Sequence, residues 1–169
     1  MPLYTKQGPK MPSLKVDETD KRILEQLQRN GRLTNLEVAE KIGLSPSPCL
    51  RRLRRLEQRG VIEGYSVKIN RKKLGLDLTA FILLKLERYS EADPQVYRDR
   101  FTAMPEVVAC HVISGTHDFL LQVLVADLDA YRRFTLESLL KVPGIRDLES
   151  RFVIETVKET GAIPLRHFA

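Results

Sequence analysis

Ile23, Leu24 and Leu27 recur at helical spacing and predict a first helix. Asp17 stands where its cap belongs, and the acids of the first turn suit the positive helix end. Asn30 and Gly31 stop it. Leu36, Ala39 and Ile42 predict the buried face of a second helix. Thr34 and Glu37 open that helix as a capping box, and Gly43 ends it because a tight turn favours positive φ. Cys49, Leu50, Leu53 and Leu56 fall on one side of a third helix. Ser45 is its expected cap, and Pro46 sits at the first position, where a missing N–H costs nothing. The β-branched and aromatic run at 60–70 then predicts a strand or wing.

From residue 76 the period changes from helical to alternating. Strands are predicted at 76–88, 107–113, 119–126 and near 146–157, with helices at 95–104 and about 128–141. The order is β-α-β-β-α-β. Met104–Val107 and Val142–Ile145 echo each other, each joining a helix to a strand across a proline. A duplicated βαβ unit predicts a ferredoxin-like sandwich, with helices on one face of an antiparallel sheet. On the first strand Ala80, Ile82, Leu84 and Leu86 alternate with Thr79, Phe81, Leu83, Lys85 and Glu87. The second set would be polar if it faced water, yet Phe81 and Leu83 are not. An open apolar face predicts self-association.

The fold class is therefore α+β: an N-terminal winged helix-turn-helix and a C-terminal ferredoxin-like βαββαβ domain. The expected divisions are a mobile tail at 1–15, the helix-turn-helix at 16–60, a wing or hinge strand at 61–75, the sandwich at 76–157 and a tail at 158–169. No apolar run reaches the roughly 18 residues of a membrane helix, and the first residues lack the apolar core of a signal peptide. A cytoplasmic protein without a membrane partner is expected. Cys49 and Cys110 fit no metal spacing and read as packed, reduced thiols, with a redox role for Cys49 as the alternative.

Charge sharpens the division. Residues 1–75 carry 17 Lys+Arg against 8 Asp+Glu, a net of +9, whereas 76–169 carry 11 against 14, a net of −3. The first unit faces a polyanion. Its focus is the third helix, where Arg51, Arg52, Arg54 and Arg55 crowd five positions. On the helical wheel Ser47, Pro48, Arg51, Arg55 and Gln58 lie opposite the leucines, with Arg52 and Arg54 flanking. A merely solvated helix would mix its signs, because like charges three and four apart repel. Three short helices with a glycine turn make a helix-turn-helix, whose third element enters the DNA major groove. The expected DNA-facing set is Ser45, Ser47, Pro48, Arg51, Arg52, Arg54 and Arg55, with Arg51 and Arg55 foremost. Arg32 and Arg59 are either solvated or on phosphate. His111 reads as a core or interface residue. No Ser/His/Asp set, phosphate loop or metal-ligand spacing marks an enzyme, and no cofactor is expected.

The stretches "GLSPSPCLRRLRRLE", "GVIEGY" and "SGTHDFLL" resemble the Lrp/AsnC family, leucine-responsive and asparagine regulators, and the likeness runs from about Val16 to Leu165. It implies a transcription regulator, with genes of amino-acid metabolism or transport as its expected targets. Its partners would be double-stranded DNA and a free amino acid, and its homodimers would assemble further, commonly to octamers. It implies an effector site near the loop Ser114, Gly115, Thr116, His117, Asp118 and Phe119, at an interface between dimers. Arg151, Phe152 and Val153 match a stretch near the same interface, with plain strand packing as the equal alternative. The loop's chemistry suits a zwitterion. Gly115 lets N–H groups approach a carboxylate, and Asp118 either accepts from an ammonium or bonds nearby backbone as a turn residue. Few polar groups line the region, which favours an aliphatic or sulfur-containing ligand. An architectural DNA-binding protein without an effector, and an amino-acid-sensing subunit of an enzyme, are the competing readings.

Overall fold

The computed structural model describes residues 16–87, 94–159 and 161–165. They divide into two units. One contains the described residues up to Lys68 and those from Lys158 onward; the other is Ile69–Val157.

The first unit holds α1 (Glu18–Arg29), α2 (Asn35–Ile42) and α3 (Pro46–Gln58). Asp17 caps α1 by accepting from the Asp20 N–H at 2.9 Å, and the Asp20 carboxylate accepts back from the Asp17 N–H. Thr34 and Glu37 do the same for α2, and Gly43 closes it at φ +68°. Pro46 opens α3 as expected, but the Ser45 side chain makes no cap bond. Ile23, Leu24, Val38, Ala39, Ile42, Cys49 and Leu56 form the core. Leu36, expected among them, is exposed, and Val38 takes its place. The two lie about 200° apart around the helix, and the shorter side chain falls beside Ala39 and Ile42.

The strand expected at 60–70 is absent. Tyr65, Val67 and Ile69 are exposed there, and the segment is irregular. Residue type alone does not make a strand; a ladder partner is required, and among the described residues no strand pairs with it. The segment is held instead by side chains, Tyr65 Oη donating to Glu57 at 2.9 Å and Lys68 pairing with Glu159. Residues beyond Lys158 return to this unit. The Ile163 N–H donates to Gln28 Oε1 at 2.5 Å, Gln28 Nε2 donates to the Ile163 carbonyl at 3.3 Å, and Leu165 packs on the core.

The second unit is β1 (Leu78–Leu86), α4 (Pro94–Thr102), β2 (Val107–Val112), β3 (Phe119–Val125), α5 (Leu128–Glu137) and β4 (Ile145–Phe152). The helical stretch expected to 141 finishes as a 3₁₀ turn, Leu139–Lys141, and β4 ends five residues short of the expected 157. The sheet order is β2-β3-β1-β4, every neighbour antiparallel. Strand alternation sends Ala80, Ile82, Leu84, Phe119, Leu121, Val123 and Val125 into a core shared with Tyr97, Phe101, Tyr131, Phe134 and Leu139. Leu83 pairs with Leu120, and Phe81 with Gln122, on the face away from that core. These residues remain only half-buried.

Candidate nucleic-acid interface and effector loop

The glycine turn after α2 sets α3 beside α1; Cys49 and Leu56 bury in the core and Leu53 packs partly against it, whereas Leu50, expected with them, is only half-buried and belongs to the outer side. Ser45, Ser47, Arg51, Arg54 and Gln58 are left exposed, with Pro48 half-buried. Ser47, Leu50, Arg51, Arg54, Arg55 and Gln58 line a shallow concavity on the outer side of the helix.

The four arginines divide. Arg51 and Arg54 are exposed. Arg52 donates to Asp17 at 2.6 Å and to Asp20 at 2.9 Å, and Arg55 donates to the other Asp20 oxygen at 2.5 Å. Asp20 is fully buried, whereas the Arg52 and Arg55 side chains keep 28% and 43% of their exposure. The hydrogen bond from Arg52 holds the Asp17 carboxyl below its ordinary range, and the bonds to Asp17 and Asp20 raise the Arg52 guanidinium. The helical wheel placed Arg55 with Arg51 on the outer face; the structure turns part of it inward to a carboxylate. Spacing within α3 carries no sign of this, because the partner lies 35 residues away. Arg32 and Arg59 are exposed. Cys49 is fully buried, and desolvation raises its thiol, as it does that of half-buried Cys110.

In the second unit Ser114, Gly115 and Thr116 form an exposed bend, with Gly115 at φ +115°. Asp118 is anchored at three points. Its N–H donates to the Leu84 carbonyl at 2.8 Å, its carbonyl accepts from the Ile113 N–H at 3.0 Å, and its Oδ2 accepts from the Leu86 N–H at 2.8 Å. The acid thus bonds backbone across the sheet, continuing β1 where its ladder to β3 ends. Thr116 Oγ1 lies 3.1 Å from His117 Nδ1, His117 Nε2 lies 3.9 Å from Glu149, and Glu149 accepts from Arg151 at 2.7 Å. A polar chain therefore joins the loop to β4.

Phe119 is not part of the loop surface. It is 3% exposed and packs edge-on to Phe101 at 5.1 Å between ring centroids. It begins β3 on the same face as Leu121, so alternation turns it inward. Phe152 and Val153 lie elsewhere. Phe152 pairs with Ala80 and meets the Tyr131 ring at 4.9 Å, and the Val153 N–H donates to the Thr79 carbonyl. Thr79 and Leu84 are five positions apart on β1, or about 17 Å at strand rise. Within one chain the loop and the Phe152–Val153 pair sit towards opposite ends of that strand. His111 is exposed on the open sheet face, opposite Leu120, and not in a core.

Residues 16–63 match a family model for winged helix-turn-helix DNA-binding, and residues 79–163 match one for the Lrp/AsnC ligand binding domain. The leucine-responsive regulatory protein of Serratia marcescens is 38% identical over 162 residues, covering 94% of this chain and 97% of that protein. That of Escherichia coli (strain K12) is 38% identical over 160 residues, covering 93% and 96%. Among solved structures, a transcriptional regulator from Neisseria meningitidis in complex with L-Met has a TM-score of 0.86 and 39% identity, covering 90% of this chain and 99% of that one. A feast or famine regulatory protein from M. tuberculosis complexed with L-methionine has a TM-score of 0.76 and 30% identity, covering 85% and 95%.

Proposed function

The chain belongs to the Lrp/AsnC family, and from that premise we propose how its two units divide the work of an amino-acid-responsive, DNA-binding transcription regulator. The observation that carries the reading is the outer side of α3, where Ser47, Arg51, Arg54 and Gln58 line one concavity with no acidic residue among them. The first turns of α3 enter the major groove; Arg51 and Arg54 meet phosphate or base, and Ser45, Ser47 and Pro48 sit at the entering end. Its named relatives are regulators rather than enzymes, and the protein works without catalysis or cofactor. Among the described residues no helix is long and apolar enough to cross a membrane; the protein acts in the cytoplasm, where its DNA is.

The effector is a free amino acid held by the 114–118 loop. The N–H groups around Gly115 take its carboxylate, and the second Asp118 oxygen takes its ammonium. Arg151, Phe152 and Val153 come from a neighbouring copy, which removes the difficulty that Phe152 and Val153 sit towards the far end of β1 from the loop in one chain. L-methionine, bound by both structural neighbours, heads the aliphatic and sulfur-containing candidates. Calorimetry against the twenty amino acids tests this. L-methionine or a close analogue should bind, and Asp118→Asn, which keeps an acceptor for Leu86, should weaken it about tenfold or more through loss of a charge-assisted bond. If no amino acid binds, or Asp118→Asn binds as the wild type does, the site is misplaced. A protein that bound duplex and no amino acid would be architectural.

A second copy covers the open sheet face around Leu83 and Leu120, and such dimers assemble further, to octamers in this reading. Leu83→Glu should shift the protein towards monomer in sedimentation at micromolar concentration. A monomeric wild type would overturn the dimer.

A further inference from the structure

Four arginines on one short helix look interchangeable by charge. Their geometry makes them two pairs. Residues three apart on a helix point nearly the same way. Arg52 and Arg55 form one such pair, directed at α1, and Arg51 and Arg54 form the other, directed outward. The pair that faces α1 meets a single acceptor. Asp20 has no exposure, accepts Arg52 on one oxygen and Arg55 on the other, and belongs to the capping box of α1. A buried carboxylate requires such partners. Both bonds reach α3 from a fixed point on α1, so they resist rotation of α3 about its own axis. That rotation decides which side chains meet a duplex.

We propose that Asp20 is a positioning residue for DNA recognition: by holding Arg52 and Arg55 it sets the rotation of α3 and leaves Arg51 and Arg54 as the arginines that neutralise phosphate. This rests on the DNA-binding reading of α3 above. Arg55 still lines the outer concavity, but at a place set by Asp20. Arg52, bonded to both Asp17 and Asp20 and absent from that concavity, is the more fully committed of the two.

The salt dependence of DNA affinity separates the two roles, because neutralising a phosphate releases counterions and a structural bond within the protein does not. The full chain is titrated with a 30-base-pair duplex of mixed sequence at several potassium chloride concentrations. The slope of log K on log salt changes by about 0.9 for each phosphate that is no longer neutralised. Arg54→Gln should flatten the slope by about that amount per bound subunit. Arg52→Gln should weaken binding by one factor at every salt concentration and leave the slope unchanged. Asp20→Asn should steepen the slope, because its neutral amide releases Arg55, which already lines the outer concavity, to swing to phosphate, while Asp17 still holds Arg52. A merely structural acid would lower affinity without steepening it.

If Asp20→Asn does not fold by circular dichroism, Arg52→Gln against Arg54→Gln decides alone. The proposal is overturned if Arg52→Gln flattens the slope as much as Arg54→Gln does, or if folded Asp20→Asn keeps the wild-type slope. Wild-type protein that binds no duplex at low salt would instead overturn the DNA-binding reading, and this inference with it.

Discussion

Arg55→Ala should lower the stability of the DNA-binding unit by about 3 kcal/mol, while Arg54→Ala should leave it within about 0.5 kcal/mol. The two residues are neighbours with the same charge, so composition treats them alike. Arg55 is bonded at 2.5 Å to a carboxylate with no solvent exposure. Truncating one member of a buried pair typically costs about 3–5 kcal/mol, mostly because the other charge stays behind. Here the loss falls at the low end, since Arg55 is itself 43% exposed and Arg52 still holds the other Asp20 oxygen. Arg54 is exposed, and exposed substitutions away from special features change stability little. Urea unfolding followed by helical circular dichroism measures both variants. Equal stabilities would mean that the Asp20–Arg55 bond contributes little. The comparison also guards against a false reading of DNA data. Weaker binding by Arg54→Ala reports the missing guanidinium at the duplex, whereas in Arg55→Ala it includes an unfolded fraction.

Phe101→Ala should cost the sheet unit about 3–5 kcal/mol and weaken the effector response with it. Phe101 has no exposure, stands edge-on to Phe119 at 5.1 Å and lies 6.2 Å from the Tyr97 ring. Truncation removes a large buried ring and leaves a cavity that helix and sheet cannot fully close. The cavity lies against Phe119, the residue directly after Asp118. The acid's three backbone bonds depend on β3 holding its place, so the loop loosens as Phe119 shifts. Thermal unfolding reads the first effect and calorimetry with L-methionine the second. Phe101→Leu, which refills much of the space, should recover most of both. Amino-acid affinity unchanged in a folded Phe101→Ala protein would uncouple the loop from this packing.

What the chain disclosed in advance follows the range of the interactions. Caps act across three residues, so Asp17 with Asp20 and Thr34 with Glu37 marked α1 and α2 correctly. Strand alternation carried the buried row of β1, Ala80, Ile82 and Leu84. Where a choice depended on what lay opposite, local pattern failed. Leu36 is more apolar than its neighbours require, yet only the arrangement of three helices shows that Val38 faces inward. The run at 60–70 has strand-forming residues and, among the described residues, no strand beside it. Phe119 was separable in principle: counted with Leu121 and Val123 as a strand residue, it belongs to the core row, and counted as the end of a loop it does not. The division of the arginines rests on an acid 32 and 35 residues away, and no periodicity within α3 could reveal it.

The bond pair between Gln28 and Ile163 spans 135 positions, with the whole of Ile69–Val157 threaded between. On the ribosome, at about 5–20 residues per second, Gln28 therefore waits on the order of ten seconds for its partner. The three helices can form during that interval, but Gln28 and the flank that Leu165 later covers meet only solvent or other nascent segments. Of the two units, the one whose helices precede the sheet unit is thus closed only after the sheet unit has emerged.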